Sequence, residues 1–209
     1  MNARLLILPA LLLLLPVLAS AATFAEDTTI VLSDAPPDNT YLAGASVTVS
    51  APLPADLAAA GGTVTTYSSI GGDVLIGAGT ARIDQPVAGD VRIAAGQVII
   101  NAPVDGDVVA AGASIQVSAP ARDVRLFGAD VQATGGARGP VTIYGANVTI
   151  SGDYEGDVEI IASDYFSVGP NTHINGTLRY NAPQQADIPA SAVIDGGVVY
   201  TGSYAYVPT

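Results

Sequence analysis

Residues 89–124 read GDVRIAAGQVIINAPVDGDVVAAGASIQVSAPARDV, which is nearly the same sequence written twice. An Asp-Val dipeptide begins at Asp90, Asp107 and Asp123, so the period is 17 residues and then 16. Small residues, an apolar alternation and a Pro-containing turn follow the first two of these dipeptides. A fixed period of this length is the signature of a repeat architecture, in which each copy packs against its neighbours.

The copies continue on both sides of this stretch. Their first residues, which we call position 1, are Asn39, Asp56, Asp73, Asp90, Asp107, Asp123, Pro140 and Asp157. Val, Ile and Leu dominate positions 2, 4, 9, 11 and 15, and the pairs 2/4 and 9/11 have the period of two that marks half-buried strands. We therefore predict an inward-facing core of Val74, Ile76, Val91, Ile93, Val98, Ile100, Val104, Val108, Ile115, Val117, Val124, Leu126, Val141, Ile143, Val148 and Ile150.

Glycine and proline recur between these apolar pairs. Pro is frequent at position 14, and the copies close on Gly72, Gly89, Gly106, Gly139 and Gly156. Glycine tolerates a positive φ and proline pre-sets a turn, so these residues predict corners. Three short strands and three corners per copy predict one rung of an all-β, three-sided parallel β-helix of roughly eight rungs, stacked at about 4.8 Å. The lack of strict six-residue repeats favours a right-handed coil.

The ends of the chain differ from the repeats. Residues 1–21 have the short positive start, the apolar run and the small residues before a cleavage site that are typical of a signal peptide. A retained membrane anchor is the alternative, although the run is short for the roughly 20 residues that span a bilayer. We predict an N-terminal cap strand over 22–38, rungs over 39–176, and an irregular terminal turn with a loose tail over 177–209. The protein is then exported to the periplasm, cell envelope or exterior, and is membrane-associated if the first segment is retained.

The composition excludes several classes of protein. Seven basic residues stand against 19 acidic ones, giving a net charge of −12. Such a surface repels nucleic acid and anionic lipid headgroups. The chain has no cysteine, so core burial and backbone pairing must supply its stability.

The aspartates of position 1 allow two interpretations. A calcium ladder would use Asp73, Asp90, Asp107 and Asp123. Calcium takes about six to eight oxygen ligands, however, and one carboxylate per rung supplies too few. The alternative, which we favour, is that each Asp caps a corner by accepting a hydrogen bond from a nearby backbone N–H. Stacking of like charges would also raise the pKa of some of these carboxyl groups.

Other residues that bear chemistry give weaker signals. His173 is the single histidine, and without cysteine it cannot build the usual zinc site, so we predict a surface residue. Asp153, Glu155, Asp157 and Glu159 surround one corner, and paired carboxylates can cleave glycosides. The chain has no lysine for a lyase-type site, and no nucleophile motif is present. We therefore expect no catalytic residue, no cofactor and no enzymatic activity.

The repeat G-D-V-x-x-x-A/G-G-x-x-V-x-I-x-x-P-V-x-G resembles that of the bactofilin-like, polymer-forming cytoskeletal family, and most closely its exported branch. The resemblance covers roughly residues 27–200. It includes a terminal segment formed by Gly176, Leu178, Tyr180, Ala186, Ile188, Ala192, Ile194, Gly196 and Val198. What it implies is a right-handed β-helix, assembly of rods through their ends, and no known catalysis.

These observations lead to one expected function and two alternatives. We expect a structural rod of the cell envelope whose partner is a second copy, through its ends or sides, or which serves as a platform for envelope proteins or the membrane. No nucleic acid or small-molecule substrate is expected. The first alternative is an exported adhesion or polysaccharide-binding module, although no aromatic stripe for sugar stacking is evident. The second is a β-helical polysaccharide hydrolase or lyase.

Overall fold

The computed structural model describes residues 22–202, which form a parallel β-solenoid without helices. The prediction of an all-β parallel β-helix is confirmed, but the coil has about ten rungs rather than eight. The predicted signal peptide, 1–21, and the last residues of the tail, 203–209, lie outside the described part of the chain. Between residues 22 and 202 there is no helix long and apolar enough to cross a membrane.

The strands follow one another around the coil. In chain order they are β1 Ala22–Glu26, β2 Thr29–Leu32, β3 Asn39–Val49, β4 Leu57–Thr66, β5 Val74–Ile83, β6 Val91–Ile100, β7 Val108–Val117, β8 Val124–Ala133, β9 Val141–Ile150, β10 Asp153–Tyr154, β11 Val158–Val168, β12 His173–Ile174, β13 Leu178–Asn181, β14 Val193–Ile194 and β15 Val198–Tyr200. Strands β1, β3–β9, β11, β13 and β15 form one continuous parallel path, and β2 joins it beside β3.

Each long strand covers two of the three sides. In β6, Val91 and Ile93 point inward, residues 94–97 are exposed or half-buried, and Val98 and Ile100 point inward again. Positions 2–4 and 9–11, which the sequence presents as two strands, are therefore the arms of one bent strand. The third side is narrow, because single-residue bridges join the position-15 residues Leu53, Ile70, Val87 and Val104.

The core is a column of stacked small side chains. Every residue predicted to face it is buried, and alanines such as Ala81 and Ala110 fill the narrow places. Tyr154 and Tyr180 enter the core only near the C-terminal end. The Tyr154 hydroxyl donates to the carbonyl oxygen of Ala133 at 2.6 Å, so this buried polar atom is satisfied.

The register is constant where the copies are regular. Val74 pairs with Val91 and Val91 with Val108, both 17 residues apart, whereas the step from Val108 to Val124 is one residue shorter. That missing residue comes from the corner after β7, because β7 and β8 stay aligned residue for residue. The opposite change occurs in β11, where a bulge adds one residue between Ala162 and Tyr165. Insertions and deletions thus fall at corners, where they leave the inward columns intact.

Both ends are more regular than the sequence indicates. We predicted one cap strand over 22–38, but β1 and β2 both pair with β3, so these residues make a further rung. At the other end we predicted a single irregular turn. Instead, Val158 pairs with Leu178 and Leu178 with Val198, an offset of 20 residues that occurs twice.

Candidate functional site

The position-1 aspartates form a hydrogen-bond ladder along one corner of the coil. Oδ1 of Asp73 accepts from the backbone N–H of Asp90 at 2.8 Å, and Oδ1 of Asp90 accepts from that of Asp107 at 2.9 Å. Asn39 does the same for Asp56 at 3.2 Å with its amide oxygen. The capping interpretation is therefore the one that the geometry supports, but the N–H lies one rung away rather than nearby in sequence.

This ladder explains the Gly that precedes Asp73, Asp90 and Asp107. A Cβ added to Gly89 would overlap Oδ1 of Asp73 and the backbone of Gly72. The same overlap with an Asp side chain of the previous rung occurs at Gly72, Gly106, Gly139 and Gly176. We expected these glycines to supply positive φ angles, and that expectation is wrong. The glycines with positive φ are Gly136, Gly152, Gly197 and Gly202.

The ladder is interrupted where the repeat changes. Asp107 Oδ1 accepts from Nε of Arg122 at 2.8 Å, in the rung that is one residue short. Asp123 lies one rung before Pro140, which has no N–H to donate. Bonding resumes at Asp157, whose Oδ1 accepts from the N–H of Thr177 at 2.8 Å.

At Asp90, hydrogen bonds and neighbouring arginines decide the direction of the pKa shift. The N–H of Asp107 lowers the pKa of Asp90, burial opposes this, and Arg92 and Arg122 lower the pKa further. The expectation that stacking raises carboxyl pKa values is therefore wrong at Asp90. Nη2 of Arg92 and Nη2 of Arg122 lie 3.0 Å and 3.6 Å from the carboxylate oxygens of Asp90. These two arginines therefore offset part of the negative charge of the column.

A second polar ladder runs along position 12. Asp84 accepts from Nε of Arg82 at 2.7 Å and from Nδ2 of Asn101 at 2.7 Å, and Ser118 donates to Oδ1 of Asn101 at 3.1 Å. Burial raises the pKa of Asp84, but the hydrogen bonds from Arg82 and Asn101 outweigh it, so that the net shift is downward. Both ladders join side chains or backbone groups of neighbouring rungs, so their role is to hold the coil together.

The remaining candidate residues do not assemble into a recognisable centre. Nε2 of His173 lies 3.2 Å from Oδ2 of Asp195, and both side chains are exposed, as we predicted for His173. In the acidic group, Asp153 stands beside His173 in the β10–β12 pairing, whereas Glu159 pairs with Arg179 in β13. Within residues 22–202, no group of three or more His, Cys, Asp or Glu residues is arranged to hold a metal ion.

The end rungs leave inward positions uncovered. Val198 and Tyr200 occupy the same columns as Leu178 and Tyr180, which are buried, yet they are 42% and 37% exposed. Over the described residues, β14 and β15 each pair on one side only, and so do β1 and β2 at the other end. Each end therefore presents backbone groups of a parallel edge, and the C-terminal end adds an apolar surface.

An apolar groove lies on the outer face of the first side, where positions 3 and 5 point outward. It has a volume of about 910 Å³. Position 3 forms a ridge of Phe24, Tyr41 and Leu75 that is interrupted by the small Ala58. The position-5 floor consists of Glu26, Ala43, Ala60, Gly77, Ala94 and Ala111. Leu75 is 59% exposed and, with Phe24 and Tyr41, belongs to one exposed apolar surface.

Stacked aromatic pairs mark both ends of this face. Phe24 and Tyr41 have ring centroids 4.8 Å apart, and Phe127 and Tyr144 have theirs 5.3 Å apart with planes 7° from parallel. We did not identify these pairs in the sequence. The signal was present, because both pairs are separated by one repeat length and therefore occupy the same position of adjacent rungs.

Comparison with protein-family models, with curated proteins and with solved structures finds no match to this chain.

Proposed function

We propose that this protein is a non-enzymatic structural rod of the cell envelope that assembles by joining its ends. The observation that carries the proposal is the exposure of Val198 and Tyr200, whose counterparts one rung earlier are buried. The resemblance of the repeats to the bactofilin-like family supports the same function, and the signal-like residues 1–21 support export.

The mechanism is edge pairing combined with core burial. An unpaired parallel edge offers N–H and C=O groups that accept another strand. A second rod placed on the C-terminal rung would also remove the side chains of Val198 and Tyr200 from water, at about 25 cal/mol for each Å² of apolar surface. Each rod that is added exposes its own unpaired C-terminal rung, so that a further rod can join.

The test compares the mature chain, residues 22–209, with two variants. Tyr200→Asp places a charge in the proposed joint, whereas Tyr67→Asp places one at an exposed tyrosine on the side of the rod. We expect filaments or concentration-dependent oligomers for the mature chain and for Tyr67→Asp, and shorter species for Tyr200→Asp, by electron microscopy and sedimentation velocity. A monodisperse monomer of the mature chain at high concentration would contradict end joining.

A second candidate function, polysaccharide binding, is favoured by the Phe127–Tyr144 pair. Both rings are exposed and stacked in parallel, so together they form an aromatic surface that a sugar ring can contact. Retention of the mature chain on immobilised envelope polysaccharide, lost in Phe127→Ala but not in Tyr67→Ala, would support this function. Equal retention of both variants would count against it.

A further inference from the structure

We infer that the apolar groove is the docking surface for a second copy of this chain, so that two rods lie side by side and point in the same direction. This inference rests on the proposed self-association and gives it a second, lateral surface.

Gly77 is the residue that points to a partner. A Cβ added there meets nothing within 4 Å, and its φ is not positive. Each of the other described glycines has either a close neighbour at that place or a positive φ. A strand glycine is unfavourable unless something approaches it closely, and nothing in the described part of the same chain does.

The two columns of the face are complementary in size. In three rungs a bulky residue at position 3 goes with a small one at position 5: Tyr41 with Ala43, Leu75 with Gly77, and Arg92 with Ala94. In β1 the bulky Phe24 goes with Glu26 instead. A two-fold axis parallel to the rods places position 3 of one copy over position 5 of the other in every rung. Leu75 of each copy then lies over Gly77 of its partner. A two-fold axis along the strands would instead oppose ridge to ridge.

The charges of the face permit the same contact. From β1 to β9, positions 3 and 5 carry only Glu26, Arg92 and Arg125, although the chain has a net charge of −12. This face is therefore nearly neutral on a strongly acidic molecule, so charge repulsion between two copies is weak there. In β8 and β9, position 5 carries the aromatic residues Phe127 and Tyr144. The same axis places Arg125 of one copy over the ring of Phe127 of the other, a cation–π arrangement.

The area is sufficient for a reversible pair. Eight rungs at about 4.8 Å and four residues at about 3.3 Å give a strip of roughly 38 Å by 13 Å. Two such strips bury on the order of 1,000 Å², the lower limit for specific interfaces. The two paired rods would lie in register, so that their ends stay free for end joining. Lateral pairing and end joining would then strengthen each other, because each raises the effective concentration for the other.

The experiment uses the mature chain carrying Tyr200→Asp, which suppresses end joining, and measures mass by sedimentation equilibrium. We expect a dimer whose fraction rises with concentration. Gly77→Leu should abolish it without lowering the melting temperature, because a Cβ at this outward position meets no atom of the described residues within 4 Å. Gln116→Leu, an exposed position on another side, is the matched control and should leave the dimer unchanged.

The exchange variant Leu75→Gly/Gly77→Leu makes the test specific. It moves the ridge residue from position 3 to position 5, so a two-fold pair regains its fit and the dimer should return. No dimer at any concentration, a dimer that survives Gly77→Leu, or no recovery in the exchange variant would overturn the inference. Pairing only when polysaccharide is added, or only when residues 1–21 are retained, would assign the groove to those occupants and also overturn it.

Failure of end joining would be recognised separately. Electron microscopy of the mature chain without Tyr200→Asp separates the two proposals. The length of the assemblies tests end joining, and their width tests pairing through the groove. Short double-width rods would refute the end joint alone, and long filaments whose width ignores Gly77→Leu would refute the groove pairing alone.

Discussion

At the scale of single residues, the Gly-Asp dipeptide is a unit that acts between rungs. The carboxylate of Asp73 accepts a hydrogen bond from Asp90, and Gly89 leaves the space in which that carboxylate lies. Asn39 shows that an uncharged amide oxygen can also serve as the acceptor, at 3.2 Å. The column therefore requires an acceptor at each step rather than a charge.

Asp73→Ala should destabilise the protein while Asp73→Asn should be close to neutral. Alanine removes an inter-rung hydrogen bond with a net value of about 1 kcal/mol, whereas asparagine keeps the acceptor. Urea unfolding followed by circular dichroism measures both variants. Equal losses for Ala and Asn would show that the charge, and not the acceptor, matters.

Asp90 should make stability sensitive to acid. Its folded pKa is lowered by the N–H of Asp107 and by Arg92 and Arg122. Its contribution is therefore complete above the unfolded value of about 3.9 and is lost as the pH falls through the lower folded pKa. Asp90→Asn should flatten the decline of the urea midpoint in this acid range. An unchanged acid profile in Asp90→Asn would contradict the assignment.

At the scale of elements, the unit is a bent strand whose two arms each bury alternate residues. The bend tolerates change, as the bulge in β11 shows, whereas the arms do not, because every inward residue has a counterpart above and below it. Sequence periodicity correctly located the arms. It did not show that they belong to one strand, since the bend residues are small and have no distinct pattern.

Val91→Asp should disrupt the stack, whereas Gln97→Asp should not. Val91 is fully buried in β6, so the variant places an unpaired charge in the core at a cost of several kcal/mol. Residue 97 lies in the same strand but is exposed. Melting followed by circular dichroism compares the two. Equal melting temperatures would refute the inward position of Val91.

At the scale of the whole molecule, the rod is a sum of similar rungs with contacts only between neighbours. Its length is therefore adjustable in whole rungs, and its ends and outer face decide what it joins. Near the C-terminus the offset between rungs rises to 20 residues, and there Tyr180 and Tyr200 stack with ring centroids 5.0 Å apart.

Deleting residues 76–92 should leave a folded rod that is about 4.8 Å shorter. The junction joins Leu75 to Ile93, and Ile93 then takes the buried place of Ile76. Deleting 76–91 is the control, because it puts Arg92 into that place and should lower the melting temperature strongly. Small-angle scattering gives the length. Similar behaviour of the two deletions would contradict the stacked register.

The sequence by itself determined the rung, its period and its inward residues, because a repeat that stacks must present the same apolar positions in every copy. Only the tertiary structure decided what those copies do to one another. The partners of Asp73, the space beside Gly89, the empty surroundings of Gly77 and the exposure of Tyr200 all depend on atoms one rung away. Such contacts run perpendicular to the chain, between residues 16 to 20 apart, and local patterns carry no direct record of them.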